Sequence, residues 1–196
     1  AESHALIDQN DLGVDFSLTK EGLGFFTLDY SEFRKYYDPT GGVYYRFKSF
    51  PHNDTLKDLA LDLGKLELET GLTLEDWPEL SFLYEREFKD GAKSRLSWTA
   101  VKEGSTTRNI GQSWQDIDEI VDTFAVRAHH ELAGFSLKGE QRWELVRSEL
   151  LREEKSLATT GAAADSKIRR QDQAPEATLM TTLVEGERWL WNDTAL

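Results

Sequence analysis

The sequence predicts an α+β fold: a two-layer sandwich whose largely antiparallel sheet is covered by helices, followed by a linker and a C-terminal tail. Three observations carry that expectation. Residues Ser81–Lys102 alternate large apolar and polar side chains on either side of Asp90-Gly91, which reads as a hairpin. Leu56, Leu59, Leu63 and Leu66 recur at spacings of three and four, the period of one helix face. Ser113-Trp114-Gln115-Asp116 resembles a capping box, and Ile117, Ile120, Val121, Phe124, Ala128 and Leu132 follow it at the same helical period. A row of large apolar groups on a sheet needs a cover, and helix-like segments flank the hairpin on both sides.

In chain order, Leu12, Val14, Phe16 and Leu18 alternate with Gly13, Asp15 and Ser17, the period of a strand with one wet face. Glu21–Gly24 suits a turn, and Phe26, Leu28 and Tyr30 resume the alternation, giving a first hairpin. Asp38-Pro39-Thr40-Gly41-Gly42 is a strong breaker, and Val43–Phe50 is strand-like again. Asn53-Asp54 caps a helix that runs to about Thr70 and stops at Gly71. Gly64 inside it costs about 1 kcal/mol relative to Ala, so it marks close packing. After the central hairpin, the helix from Trp114 ends at Gly134. A third, over about Gly139–Leu157, turns Trp143, Val146, Leu150 and Leu151 inward and pairs Glu144 with Arg147 and Glu149 with Arg152. Residues 10–157 then form one domain, 158–177 a flexible linker, and 178–196 a C-terminal docking segment.

The bulk chemistry narrows the function. The 196 residues carry a formal charge of −13 and no Cys. Disulfides and thiolate metal sites are therefore excluded. Negative charge argues against gripping nucleic-acid phosphates unaided, or an anionic membrane surface. No apolar run approaches the roughly 18–20 residues of a membrane-crossing helix. The first residues, Ala-Glu-Ser-His, lack the basic and apolar regions of a secretory signal. The expectation is a soluble, cytoplasmic protein with no membrane partner.

Residues 54–90 hold eleven Asp and Glu against four Lys and Arg, a local charge of −7. This suits solvated faces, or a surface for a basic partner, or in the extreme an acidic mimic of DNA that acts as an inhibitor. Asp76 with Glu87-Phe88-Lys89 matches the carboxylates and lysine with which restriction-type nucleases hold Mg and position water, and Glu67 or Glu69 could add a ligand. His129-His130 are adjacent, so on a helix they point about 100° apart and make no two-ligand face. No Gly-x-Ser-x-Gly elbow or Gly-rich phosphate loop is present. Of the six Trp, Trp189 and Trp191 stand apart because they follow the linker, which marks them as partner-binding.

From Val43 to about Leu132 the layout resembles a small domain of unknown function that accompanies restriction and anti-phage defence proteins. The likeness lies in a strand, Leu66-Glu67-Leu68-Glu69-Thr70-Gly71, Leu74 with Trp77, Lys93-Ser94-Arg95-Leu96, and the amphipathic run from Trp114. The resemblance implies an accessory module and names no catalytic residues. The functional expectation is a non-enzymatic binding or accessory module that acts through a protein partner in such a system, with no cofactor. The alternatives are a Mg-dependent nuclease using Asp76, Glu87 and Lys89, and an acidic DNA mimic.

Overall fold

The computed structural model describes residues 1–6, 11–37, 59–103, 106–132, 134–156, 167–190 and 194–195, with the backbone alone at 94, 96–103, 106–113, 153–156, 167–169, 189–190 and 194–195. Its regular elements are all strands, in one antiparallel sheet. They are β1 (Glu2–Leu6), β2 (Asp11–Lys20), β3 (Gly24–Tyr36), β4 (Ala60–Leu72), β5 (Glu79–Glu103), β6 (Thr106–Leu132), β7 (Phe135–Ser156), β8 (Lys167–Gln173), β9 (Glu176–Leu190) and β10 (Thr194–Ala195). Sequence neighbours are spatial neighbours from β1 to β7, the order of an up-and-down meander. Strands β8 and β9 share one edge of β7, where Leu150 faces Gln173 and Arg147 faces Glu176. Between them the Ser148 amide donates to the Pro175 carbonyl at 3.1 Å. The pair is thus one strand line, interrupted where Pro175 has no amide to offer.

This overturns the α+β sandwich. Residues 60–72, 106–132 and 135–156, expected in or around helices, are β4, β6 and β7. Asp90-Gly91 is no turn; β5 runs straight through it, with Gly91 opposite Leu61 on one side and Ile117 on the other. The first hairpin is formed by β2 and β3 about residues 21–23. The tail segment from 176 to 190 joins the same sheet on β7. The expected strand at Val43–Phe50, the cap at Asn53-Asp54 and residues 158–166 of the expected linker lie outside the described residues.

The misreading has a physical cause that appears once register is followed, because residues directly opposite in an antiparallel pair share a face. One row runs Phe16, Leu28, Leu68, Tyr84, Phe124, Trp143, Met180 across seven strands. The adjacent row on the opposite face runs Asp15, Asp29, Glu67, Glu85, Thr123, Glu144, Leu179. Further along the strands the faces exchange character. The first face becomes Arg34, Asp62, Asp90, Asp118, Glu149, and the second becomes Lys35, Leu61, Gly91, Ile117, Leu150. Where the apolar phase slips, Leu63 and Leu66 fall three apart although each obeys a period of two. The same slip puts Ile117, Ile120, Val121 and Phe124 at helical spacing. The expected Glu144–Arg147 pair is likewise split between opposite faces, and Glu144 instead accepts from Arg142 at 3.0 Å.

Burial differs between the faces on the middle strands, while toward the edges Phe33, Leu179 and Leu183 of the second face are exposed as well. Leu61, Leu83, Ile117, Thr123 and Ala125 on the second face are buried, whereas Phe16, Leu18, Phe82, Val126, Leu137 and Met180 on the first are exposed. Two glycines hold the strands close. The Phe88 ring lies over Gly64, where a Cβ would come within 2.2 Å of it. At Gly91, with φ of 130°, a Cβ would meet the Ala60 carbonyl oxygen at 2.2 Å.

Candidate functional site

The feature with functional consequences is the apolar band on the first face. It occupies the end of the sheet nearest the connections 21–23, 73–78 and 133–134. On β6 it covers Phe124–Leu132 and on β7 Phe135–Leu145, nine and eleven residues. Aromatic rings populate it: Tyr84 stacks on Phe124 with centroids 5.0 Å apart, and Phe16 lies 6.2 Å from Phe26. Arg188 sits over the Phe135 ring at 4.7 Å, near the lower rim.

A polar cluster closes the band at its other rim. The Asp122 carboxylate accepts from the Tyr84 hydroxyl at 2.9 Å and from Arg86 Nε and Nη2 at 2.7 and 3.1 Å, with Arg147 Nη2 at 3.7 Å. Beyond it, Arg34 makes a bidentate pair with Asp62 at 2.6 and 2.7 Å, which raises the guanidinium above its already high ordinary range. Asp122 is buried while Arg86 is partly open. Asp122→Ala is therefore expected to lower stability by about 1–3 kcal/mol, since two guanidiniums and a hydroxyl lose their acceptor. Denaturant unfolding of the variant measures it, and a change within error would show that water replaces the carboxylate.

The second face is laced with charge. Lys65 bridges Glu67 at 3.0 Å and Glu85 at 2.8 Å, and Arg127 bridges Glu69 at 3.1 Å and Glu140 at 2.9 Å. Lys65 and Glu67 lie on the same strand, but the other three pairs cross strands and favour the register that makes them, by up to about 1 kcal/mol each.

The residues picked out in the sequence are dispersed. Asp76 lies in the connection 73–78 with φ of 59°, whereas Glu87 and Lys89 lie on the second face of β5. Glu87 is eight residues beyond the start of β5, roughly 26 Å along a strand, and Lys89 pairs with Glu119 at 2.8 Å. The three are not brought together. Among the described residues no group of three or more His, Asp or Glu is placed to hold a metal ion. His129 and His130 point to opposite faces, with His129 Nε2 3.1 Å from Ser136 Oγ. Trp189 is in β9 opposite Ala195, and Trp191 lies outside the described residues. Sequence reasoning did not assemble the apolar row, although the alternation in Leu12–Leu18 and Phe26–Tyr30 was its visible signal. No family model, curated protein or solved structure matches this chain.

Proposed function

We propose that this chain forms part of the wall of a membrane-spanning antiparallel β-barrel, with the first face toward lipid and the second toward a polar interior. The observation that carries the reading is the row Phe16, Leu28, Leu68, Tyr84, Phe124, Trp143, Met180 backed by a row rich in carboxylates. Apolar-out, polar-in alternation, an aromatic-rich band and short connections at one end are the marks of such walls. Strands of about 9–11 residues cross a bilayer when tilted, and the band on β6 and β7 has that length. Past the band the outward face turns acidic and the inward face apolar, as suits strands that continue into water. Among the described residues no helix is long and apolar enough to cross a membrane. Of the grounds for expecting no membrane partner, the missing apolar run concerns helices and does not bear on strands.

A second reading retains the accessory module: a protein partner covers the same band, and the chain is cytoplasmic. The Arg86–Asp122–Arg147 cluster favours it, because charges on an apolar face suit a protein partner better than lipid. One experiment separates the two. A variant that keeps Trp143 and replaces the other Trp by Phe is folded in vesicles whose lipids carry bromine near the acyl-chain centre. The wall reading expects strong quenching of Trp143 and little of a matched variant that keeps Trp114 instead. Equal quenching of both, or none, would remove the bilayer from this account.

A further inference from the structure

The β6–β7 hairpin turns the chain back sharply, with Leu132 opposite Phe135, and so brings together residues that the sequence keeps apart. His129 of β6 is directly opposite Glu79 of β5 on one side and Lys138 of β7 on the other. Ser136 is the next residue on the same face of β7, toward the turn. All four side chains therefore share the second face. The Ser136 hydroxyl lies 3.1 Å from His129 Nε2, and His129 Nδ1 lies 3.4 Å from Glu79 Oε2. A serine on one ring nitrogen and a carboxylate on the other is the order of nucleophile, base and orienting acid. With its proton on Nδ1, donated to Glu79, the imidazole presents Nε2 as the acceptor for the hydroxyl. Hydrogen bonds of this kind are often long outside the Michaelis complex, which accommodates the longer of the two.

The histidine opens on a cleft. Glu79 and His129 line a pocket of 390 Å³ whose walls include Phe25 of β3 and Leu183 of β9. Those strands are five places apart in the sheet order, about 24 Å if the sheet were flat, so the second face is concave here. Phe25 and Leu183 give the cleft apolar surface for a substrate chain. Its charge is lopsided. Glu131 and Glu187 are opposite Ser136 on its two sides, and Glu185 is opposite Lys138. Acids around the hydroxyl repel an anionic substrate and favour a neutral one.

We propose that Ser136, His129 and Glu79 form a hydrolytic site for neutral carboxylic esters with an apolar acyl chain. Ser136 Oγ bonds to the ester carbonyl carbon while His129 Nε2 takes the hydroxyl proton. The tetrahedral adduct then breaks its bond to the alcohol oxygen, which leaves with that proton. Water attacks the acyl-serine carbon in turn and gives a proton to His129, and that proton returns to Ser136 as the carboxylic acid departs. Lys138 supplies positive charge on the same face for the carbonyl oxygen as it becomes negative. Glu79 acts through the histidine and is a positioning residue. The site lies on the second face and does not depend on what covers the first.

The full chain is treated with an alkyl fluorophosphonate, from whose phosphorus the serine oxygen displaces fluoride, and mass spectrometry locates the label. Ser136 is expected to carry it, whereas Ser81, which lines the same pocket opposite Arg127, stays unmodified. His129→Asn is expected to slow labelling by about 10²-fold or more. Glu79→Gln is expected to lower the limiting rate by about tenfold or more and to leave the probe concentration at half that rate unchanged. The parent chain is expected to hydrolyse p-nitrophenyl butyrate, and Ser136→Ala to lose that turnover. No label on Ser136 of the parent chain, or equal labelling of Ser81, overturns the site whatever the variants do. Equal labelling of Ser136 in the parent and in His129→Asn overturns the base. A change in the half-rate concentration alone overturns the positioning role of Glu79, and labelling without ester turnover overturns hydrolysis.

Discussion

Val126→Arg is expected to destabilise the lipid-inserted chain by about 2–4 kcal/mol, the cost of a cation near the middle of the lipid face of a barrel. Val126 is an exposed residue of β6 on the first face, flanked in its row by Phe82 and Gln141. Among the described residues the nearest acid on that face along β6 is Asp122, four residues away. The control is Thr27→Arg on β3, opposite Ser17 and Glu69 on the polar face, expected to cost under about 1 kcal/mol because it stays hydrated and has an acid beside it. Reversible urea unfolding of both variants in vesicles provides the comparison. Equal costs would mean that the two faces meet the same solvent, and the assignment of lipid to the first would be withdrawn.

The second large effect is expected at Gly91. Gly91→Ala places a Cβ 2.2 Å from the Ala60 carbonyl oxygen, on a backbone whose φ of 130° an L-residue seldom adopts. The obstacle is backbone from β4, which cannot rotate aside as a side chain would. A loss of about 2–4 kcal/mol follows from strain together with the local parting of β4 from β5. A readout specific to the mechanism is faster amide exchange at Leu61 and Asp62 than at Leu68 and Glu69 on the same strand. Uniform acceleration along β4 would point to a global loss instead. In the sequence alone, Asp90-Gly91 suggested a hairpin because Gly commonly supplies a turn. Here the same freedom serves close approach of two strands in the middle of a strand of 25 residues.

Much of the local pattern was legible. The alternation in Leu12–Leu18 and Phe26–Tyr30 specified the β2–β3 hairpin, and the spacing of Phe82 and Tyr84 placed both on one face of β5. Gly64 marked close packing, now seen to be with Phe88. The helices were an error of period. Leu61 and Leu63 face one side and Leu66 and Leu68 the other, and the slip between them imitates a helical stripe. The paired acids and bases at Glu144 and Arg147 invited the same mistake, because i and i+3 are neighbours on a helix but lie on opposite faces of a strand.

By itself the sequence determined composition and local alternation: an acidic, cysteine-free chain with period-two runs, and no stretch suited to a membrane-crossing helix. Only the tertiary structure decided what those runs mean, because the face a residue occupies depends on its partner strand and the register between them. Long-range pairing lined up Phe16, Leu28, Leu68, Tyr84, Phe124, Trp143 and Met180 from segments as many as 164 positions apart. Hydrogen bonds between strands, not spacing within any one of them, turned scattered apolar residues into one continuous surface.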